Sequence, residues 1–155
     1  MGAPTGPATP DPQALAERVS AELYARDRAS QALGMRIAAI APGRCTMTMR
    51  VRADMGNGHD VCHGGVIFSL ADSAFAFACN SGGVPTLAAA ASIDFLAPAR
   101  VGDQLTAEAR ELWRRGRSGL YEITVRNQKD ELIALFRGRS HRVAAAPVAA
   151  EEAGA

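Results

Sequence analysis

The sequence predicts an α+β fold in which a mostly antiparallel sheet curls around one long apolar helix. Two observations carry that expectation. The run GGVIFSLADSAFAFAC, residues 64–79, is apolar at nearly every position and contains a single charge, Asp72. Such a helix is buried almost all round. Strand-like runs flank it, two before and four after, and turn residues rather than further helices separate them.

Residues 1–11 are rich in Pro, Gly, Ala and Thr, a composition expected to stay disordered. The domain is expected to span residues 12–143. Pro12 fits the first turn of a helix, with Asp11 as its N-cap. Ala14, Leu15, Val19, Leu23 and Tyr24 recur at helical spacing, so a helix runs from about Pro12 to Arg28 with a break near Asp27. Gly34 closes this segment. Met35–Ile40 and Cys45–Val51 are strands joined by the turn Ala41-Pro42-Gly43. The stretch ADMGNGHDV, residues 53–61, is a polar loop.

The central helix is expected from about Gly64 to Cys79, stopped by Ser81-Gly82-Gly83. Leu87–Phe95 is the next strand, followed by turns at Ala97-Pro98 and Gly102-Asp103. Leu105–Arg114 leads into a basic loop, Arg115–Gly119. Leu120–Asn127 alternates cleanly, Gln128-Lys129-Asp130 forms a turn, and Leu132–Val143 is the last strand. Residues 144–155 are Ala-rich with a short acidic end, a second tail expected to be disordered.

Bulk properties exclude several function classes. The 155 residues suit one domain. Seventeen Lys and Arg nearly balance sixteen Asp and Glu, and aromatics make up only 5%. Neither a basic footprint nor a base-stacking surface for nucleic acid is present. Cys45, Cys62 and Cys79 form no CxxC pattern, and the N-terminus has no signal-peptide pattern. No apolar stretch reaches membrane-spanning length. The expectation is a soluble, cytoplasmic protein with reduced thiols, no nucleic-acid partner and no membrane partner.

Chemistry concentrates around the central helix. Gly64 and Gly65 sit where the first helical N–H groups have no internal partner. Lacking Cβ, they let a substrate carbonyl approach those donors. A tight turn into a packed helix explains the same dipeptide. Asp72 is a carboxylate flanked by Leu70, Ala71 and Phe75, and an acid in apolar surroundings is used or locally satisfied. It follows Gly64 by eight residues, ~12 Å along the axis. One chain cannot easily aim both at one functional group, so cooperation requires two chains with antiparallel central helices.

His59, Cys62 and His63 precede the helix, and no second cluster completes a tetrahedral set, so no metal is expected. Cys62 and His63 are adjacent and lack an orienting third group, which argues against a nucleophilic pair. Asn57 can orient a water or carbonyl, or cap its own turn. Arg114, Arg115 and Arg117, with Arg137, Arg139 and Arg142, are the local positive concentrations. They suit phosphate contact, and equally a solvated hairpin.

The segment HGGVIFSLADSAFAFACNSGG resembles the phenylacetic acid degradation (PaaI-type) thioesterases of the hotdog-fold superfamily. The resemblance extends through LYARDRASQALGM, NGHDVCHGG, SIDFLAPARVGDQLTAEA and LIALFRGRSHR, covering roughly residues 20–143. It implies a hotdog fold and hydrolysis of acyl-coenzyme A thioesters, with phenylacetyl-CoA and hydroxyphenylacetyl-CoA as the substrate type and no separate cofactor. Asp72 would be the catalytic carboxylate, as nucleophile or as general base. Gly64 would donate its N–H to the thioester carbonyl, and His63 and Asn57 would orient thioester and water. Gly65, Phe68 and Phe95 would line the substrate site, and the arginines Arg114, Arg115, Arg117, Arg137 and Arg139 would meet coenzyme A phosphates. The site would lie between the subunits of a homodimer, with dimers pairing into tetramers.

One position departs from the family pattern. The family often places Asn before the Asp of the N-terminal segment, where this chain has Arg26. The Ser or Thr used by distant branches in the strand after the helix falls here near Ala88 or Ala90, with Ser92 the nearest hydroxyl. A hotdog hydratase or dehydratase and a non-catalytic acyl-CoA binding protein are the competing readings.

Overall fold

The computed structural model describes residues 11–144. Its elements are α1 (Pro12–Arg26), α2 (Arg28–Ala32), β1 (Arg36–Ala41), β2 (Arg44–Arg50), a 3₁₀ turn (Ala53–Met55), α3 (Gly64–Asn80), β3 (Thr86–Phe95), β4 (Gln104–Arg115), β5 (Ser118–Arg126) and β6 (Leu132–Arg142). The six strands form one sheet in the order β1-β2-β4-β5-β6-β3, and every neighbouring pair is antiparallel. Apart from Asp11 and Ala144, the two expected tails lie outside the described residues.

Alternation fixes which face of the sheet meets the helix. Cys45, Met47 and Met49 of β2, Leu105, Ala107 and Ala109 of β4, and Tyr121, Ile123 and Val125 of β5 are all buried. Their sequence neighbours point to the opposite, polar face. Against the buried face α3 packs Ile67, Leu70, Ala71, Ala74, Phe75, Phe77 and Ala78. Phe75 stands among aromatic rings, 5.3 Å from Tyr121 and 6.0 Å from Phe136 between centroids. Gly138 makes this possible, because a Cβ there would come within 2.8 Å of the Phe75 ring.

The break expected near Asp27 is present: α1 ends at Arg26, and Asp27 caps a separate short helix by accepting from the Ser30 amide at 2.9 Å and the Ser30 hydroxyl at 2.6 Å. Two expectations are corrected. The supposed basic loop is a two-residue turn, Gly116-Arg117, with Arg115 still paired to Ser118. The central helix is not covered all round: Gly65, Phe68, Ser69, Asp72 and Ala76 leave a stripe open to half-open in the single chain.

The edge strand β3 is also uncovered. Beyond Thr86 none of its residues is buried, and Leu87 and Phe95 are 62% and 53% exposed. Its outer edge pairs with no strand among the described residues. The Asn80 amide pins its start, accepting from the Thr86 amide at 3.0 Å and donating to the Thr86 carbonyl at 2.9 Å. No helix among the described residues is long and apolar enough to cross a membrane.

Candidate active site

The loop before α3 is folded by its own polar groups. Asn57 Oδ1 accepts from the amides of His59 (2.9 Å) and Val61 (3.3 Å), and the Asn57 amide donates to the Val61 carbonyl at 2.8 Å. That turn delivers His63 to the N-cap of α3. The His63 amide donates to the Met55 carbonyl at 2.8 Å, and His63 Nδ1 accepts from the Gly65 amide at 2.9 Å. The His63 carbonyl accepts from Val66 at 2.9 Å. Gly64 is thus left as the first-turn residue whose N–H has no partner among the described residues, at the positive end of the helix dipole.

Gly64 borders a concave space. Asn57, Gly64 and Phe95, with Cys62, Ile67 and Pro98, line a largely apolar cavity of about 330 Å³. Phe95 lies directly over Gly64, and a Cβ on Gly64 would sit 3.0 Å from the ring. A side chain at that position would have to push the half-exposed ring aside. Gly65 differs: its N–H is already used by His63, so it offers no donor to a ligand.

Asp72 lies two turns deeper and does not line that cavity. Its carboxylate is half-buried and makes no hydrogen bond or ion pair among the described residues. Burial pushes its carboxyl above the usual carboxylate range. An acid held partly dry and unpartnered is a strong base when ionised. One chain therefore brings Gly64, Asn57 and Phe95 together and keeps Asp72 apart.

The other expected residues divide. Phe68 is half-buried on the open stripe, its ring edge-on to Phe136 at 5.1 Å. Arg114 Nε stands 3.6 Å from Glu111, and Arg137 Nη2 stands 3.5 Å from Glu122, which also holds Arg110 at 2.7 Å. Arg115 and Arg117 lie at the β4–β5 turn. Arg137 and Arg139 project from the sheet face opposite α3, alternating with buried Phe136, Gly138 and Ser140. No arginine of the set reaches the Gly64 cavity within one chain. Ser92 is exposed and pairs across the ladder with Arg137.

Burial pushes the Cys62 thiol up to about 11, with Asp103 adding to the shift, so it stays protonated and unreactive. His59 is exposed. Among the described residues no three or more His, Cys, Asp or Glu side chains are grouped to hold a metal.

Two features were not expected from the sequence. Ser30 Oγ lies 3.0 Å from Ser73 Oγ, tying the Asp27 cap to the residue beside Asp72. Arg26 itself is exposed, and its Nε donates to the Glu22 carbonyl at 3.4 Å. Tyr121 donates its hydroxyl to Glu111 at 2.5 Å. The signal for that pair was legible: Glu111 follows Leu105, Ala107 and Ala109 in the inward register of its strand.

A single sheet rolled round one long helix, with an acid in mid-helix and an open amide at its start, is the plan of a hotdog-fold thioester hydrolase. A profile of the Thioesterase superfamily matches residues 59–134. The acyl-coenzyme A thioesterase PaaI of Escherichia coli (strain K12) is 48% identical over 121 residues, 78% of this chain and 86% of that protein. The solved structure of the E. coli PaaI protein from the phenylacetic acid degradation operon superimposes with a TM-score of 0.85 at 44% identity, covering 86% of this chain and 97% of that one. A point mutant of the phenylacetic acid degradation protein PaaI from Thermus thermophilus gives a TM-score of 0.73 at 36% identity, covering 76% of this chain and all of that one. The chain belongs to the PaaI-type thioesterases of the hotdog-fold superfamily.

Proposed function

We propose that the protein hydrolyses acyl-CoA thioesters of the phenylacetyl and hydroxyphenylacetyl type at a site shared by two subunits, without a further cofactor. The observation that carries this reading is the separation of the half-buried, unpaired Asp72 from the open Gly64 amide on the same helix. A two-fold axis near Phe68 makes two such helices antiparallel and sets each Gly64 beside the other chain's Asp72. The exposed edge of β3 supplies the unpaired backbone along which a second copy can join.

At such a site the Gly64 N–H donates to the thioester oxygen and stabilises the negative charge that grows there. Phe95 and the apolar cavity wall hold the organic group beside it. Asp72 attacks the carbonyl carbon to give an acyl anhydride, which water then opens, or it takes a proton from the attacking water. In either route the C–S bond breaks, the sulfur leaves as coenzyme A thiolate, and the acid is released. His63 fixes the helix start by capping it, and Asn57 shapes the loop. Arg115 and Arg117 of the β4–β5 turn and Arg137 and Arg139 of β6 are the phosphate partners in this reading. Pairing of dimers into a tetramer completes it.

Complementation tests the shared site. Asp72→Asn and Gly64→Val chains, each inactive alone, are co-expressed. A site built across two chains leaves one intact centre in each mixed dimer, so roughly a quarter of the native thiol release returns on random pairing. No recovery in verified mixed dimers overturns the two-chain site. Undiminished turnover by folded Asp72→Asn protein overturns the catalytic assignment.

A further inference from the structure

A second cavity, of about 300 Å³, opens at the opposite end of α3 from Gly64. Arg44, Arg114, Arg142, Glu111, Tyr121 and Cys79 are among its walls. One wall is assembled in advance. The buried Tyr121 donates to Glu111 Oε2 at 2.5 Å, and Arg114 Nε stands 3.6 Å from Glu111 Oε1. The β1–β2 turn closes against it: the Gly43 amide donates to Ser81 Oγ at 2.8 Å, and a Cβ on Gly43 would meet Glu111 Cβ at 3.2 Å.

The charges around this space do not balance. Three arginines and one carboxylate line the space, Arg44 at its rim, where it also borders the outer sheet face beside Glu108, and Glu111 is already engaged by Arg114 and Tyr121. Among the described residues Arg44 and Arg142 have no carboxylate within ion-pair distance. Guanidinium groups gathered at a concave, partly enclosed surface match anionic oxygens in geometry and charge.

The position along the helix gives the cavity a relation to the reacting carboxylate. Cys79 follows Asp72 by seven residues, which returns to the same stripe of the helix ~10 Å further along. Ala76, small and exposed, lies between them. The open stripe of α3 therefore runs from Asp72 to the mouth of the arginine-lined cavity.

We propose that this cavity is an anion site in which Arg142, Arg114 and Arg44 take a carboxylate or a phosphate. Its chemistry is independent of Asp72, and only its use in substrate choice rests on the catalytic reading above. Two sources can supply the anion: a carboxylate at the far end of a medium-length acyl group, or a free small anion.

The test uses the full chain carrying Arg44→Gln and Arg142→Gln together, leaving Arg114 to brace Glu111. The first arm is the ratio of kcat/KM for a medium-chain ω-carboxyacyl-CoA to that for phenylacetyl-CoA, which has no distal anion. The second is the rise in melting temperature produced by free benzoate, phenylacetate or inorganic phosphate. A tenfold or greater fall in the ratio assigns the site to the acyl end. Loss of the thermal shift with an unchanged ratio assigns it to a free anion. A native ratio together with a native thermal shift overturns the proposal. The thermal arm is repeated on Asp72→Asn protein, which must keep the native shift, so failure of the catalytic reading is seen separately.

Discussion

The Phe95 ring lies across Gly64 so closely that a Cβ built on the glycine would touch it at 3.0 Å. The ring is half-exposed and able to swing, so Gly64→Ala should cost less than about 1 kcal/mol of stability. The displaced ring and the new methyl both crowd the one open amide of the helix start. A fall in kcat/KM of about tenfold or more is expected from a loss of ~1.4 kcal/mol at the transition state. In the Gly64→Ala/Phe95→Ala double variant part of that loss should return. An identical loss with and without Phe95 would remove the ring from the account.

Asp72 is predicted to trade stability for activity. Its folded carboxyl binds a proton more tightly than the unfolded one, so the folded state holds more protons as pH rises through that interval. Stability from the neutral acid is therefore full below the unfolded carboxylate range and is lost as pH rises through the folded value. Asp72→Asn should melt at a higher temperature than the native protein at pH 7, and the gap should close in acid. Thiol release should fall at least about a hundredfold. A variant that melts lower at pH 7 would contradict the burial argument.

Packing predicts a contrast between two glycines. Gly138→Ala drives a methyl to 2.8 Å from the fully buried Phe75 ring, which has no free side to move toward. A loss of about 1–3 kcal/mol is expected, read as a lower denaturation midpoint. Gly82→Ala meets nothing within 4 Å and should stay within about 0.5 kcal/mol of native. Equal effects at both positions would count against this packing.

The edge of β3 predicts what disrupts assembly. Lysine at both Leu87 and Ala89, exposed positions of that strand, places charge where a second copy would pair. Sedimentation should show a monomer, and the folded monomer should release no thiol. A fully active monomer would require Gly64 and Asp72 to serve one centre within one chain.

Much of this molecule is legible in its sequence because its strands alternate and its central helix is nearly uncharged. Leu120–Arg126 shows this best, buried and half-buried residues following one another without a break. What the sequence hid are relations between distant positions. That His63 consumes the Gly65 amide and leaves Gly64 open depends on a cap geometry that spacing does not reveal. The break at Asp27 was visible, but its bond through Ser30 to Ser73 joins residues 43 apart. The open stripe on α3 was masked because Ala, Gly and Phe read as apolar whether or not anything covers them. The two arginine concentrations were visible, but not that alternation along β6 sends Arg137 and Arg139 to the face away from the helix.

The strand order has a consequence in time. β3 follows α3 directly in the chain but joins the sheet at its far edge, and its hydrogen-bonded neighbour is β6, the last strand described. When β3 leaves the ribosome its partner has not been made. Phe95, near the end of β3, cannot be held over Gly64 until residues 132–142 have arrived to fix that strand. Pairings so distant in sequence form late and slowly. The substrate-side wall is thus among the last parts of the protein to exist, so a chain shortened before β6 should lack the wall over Gly64 even though both Gly64 and Asp72 are present.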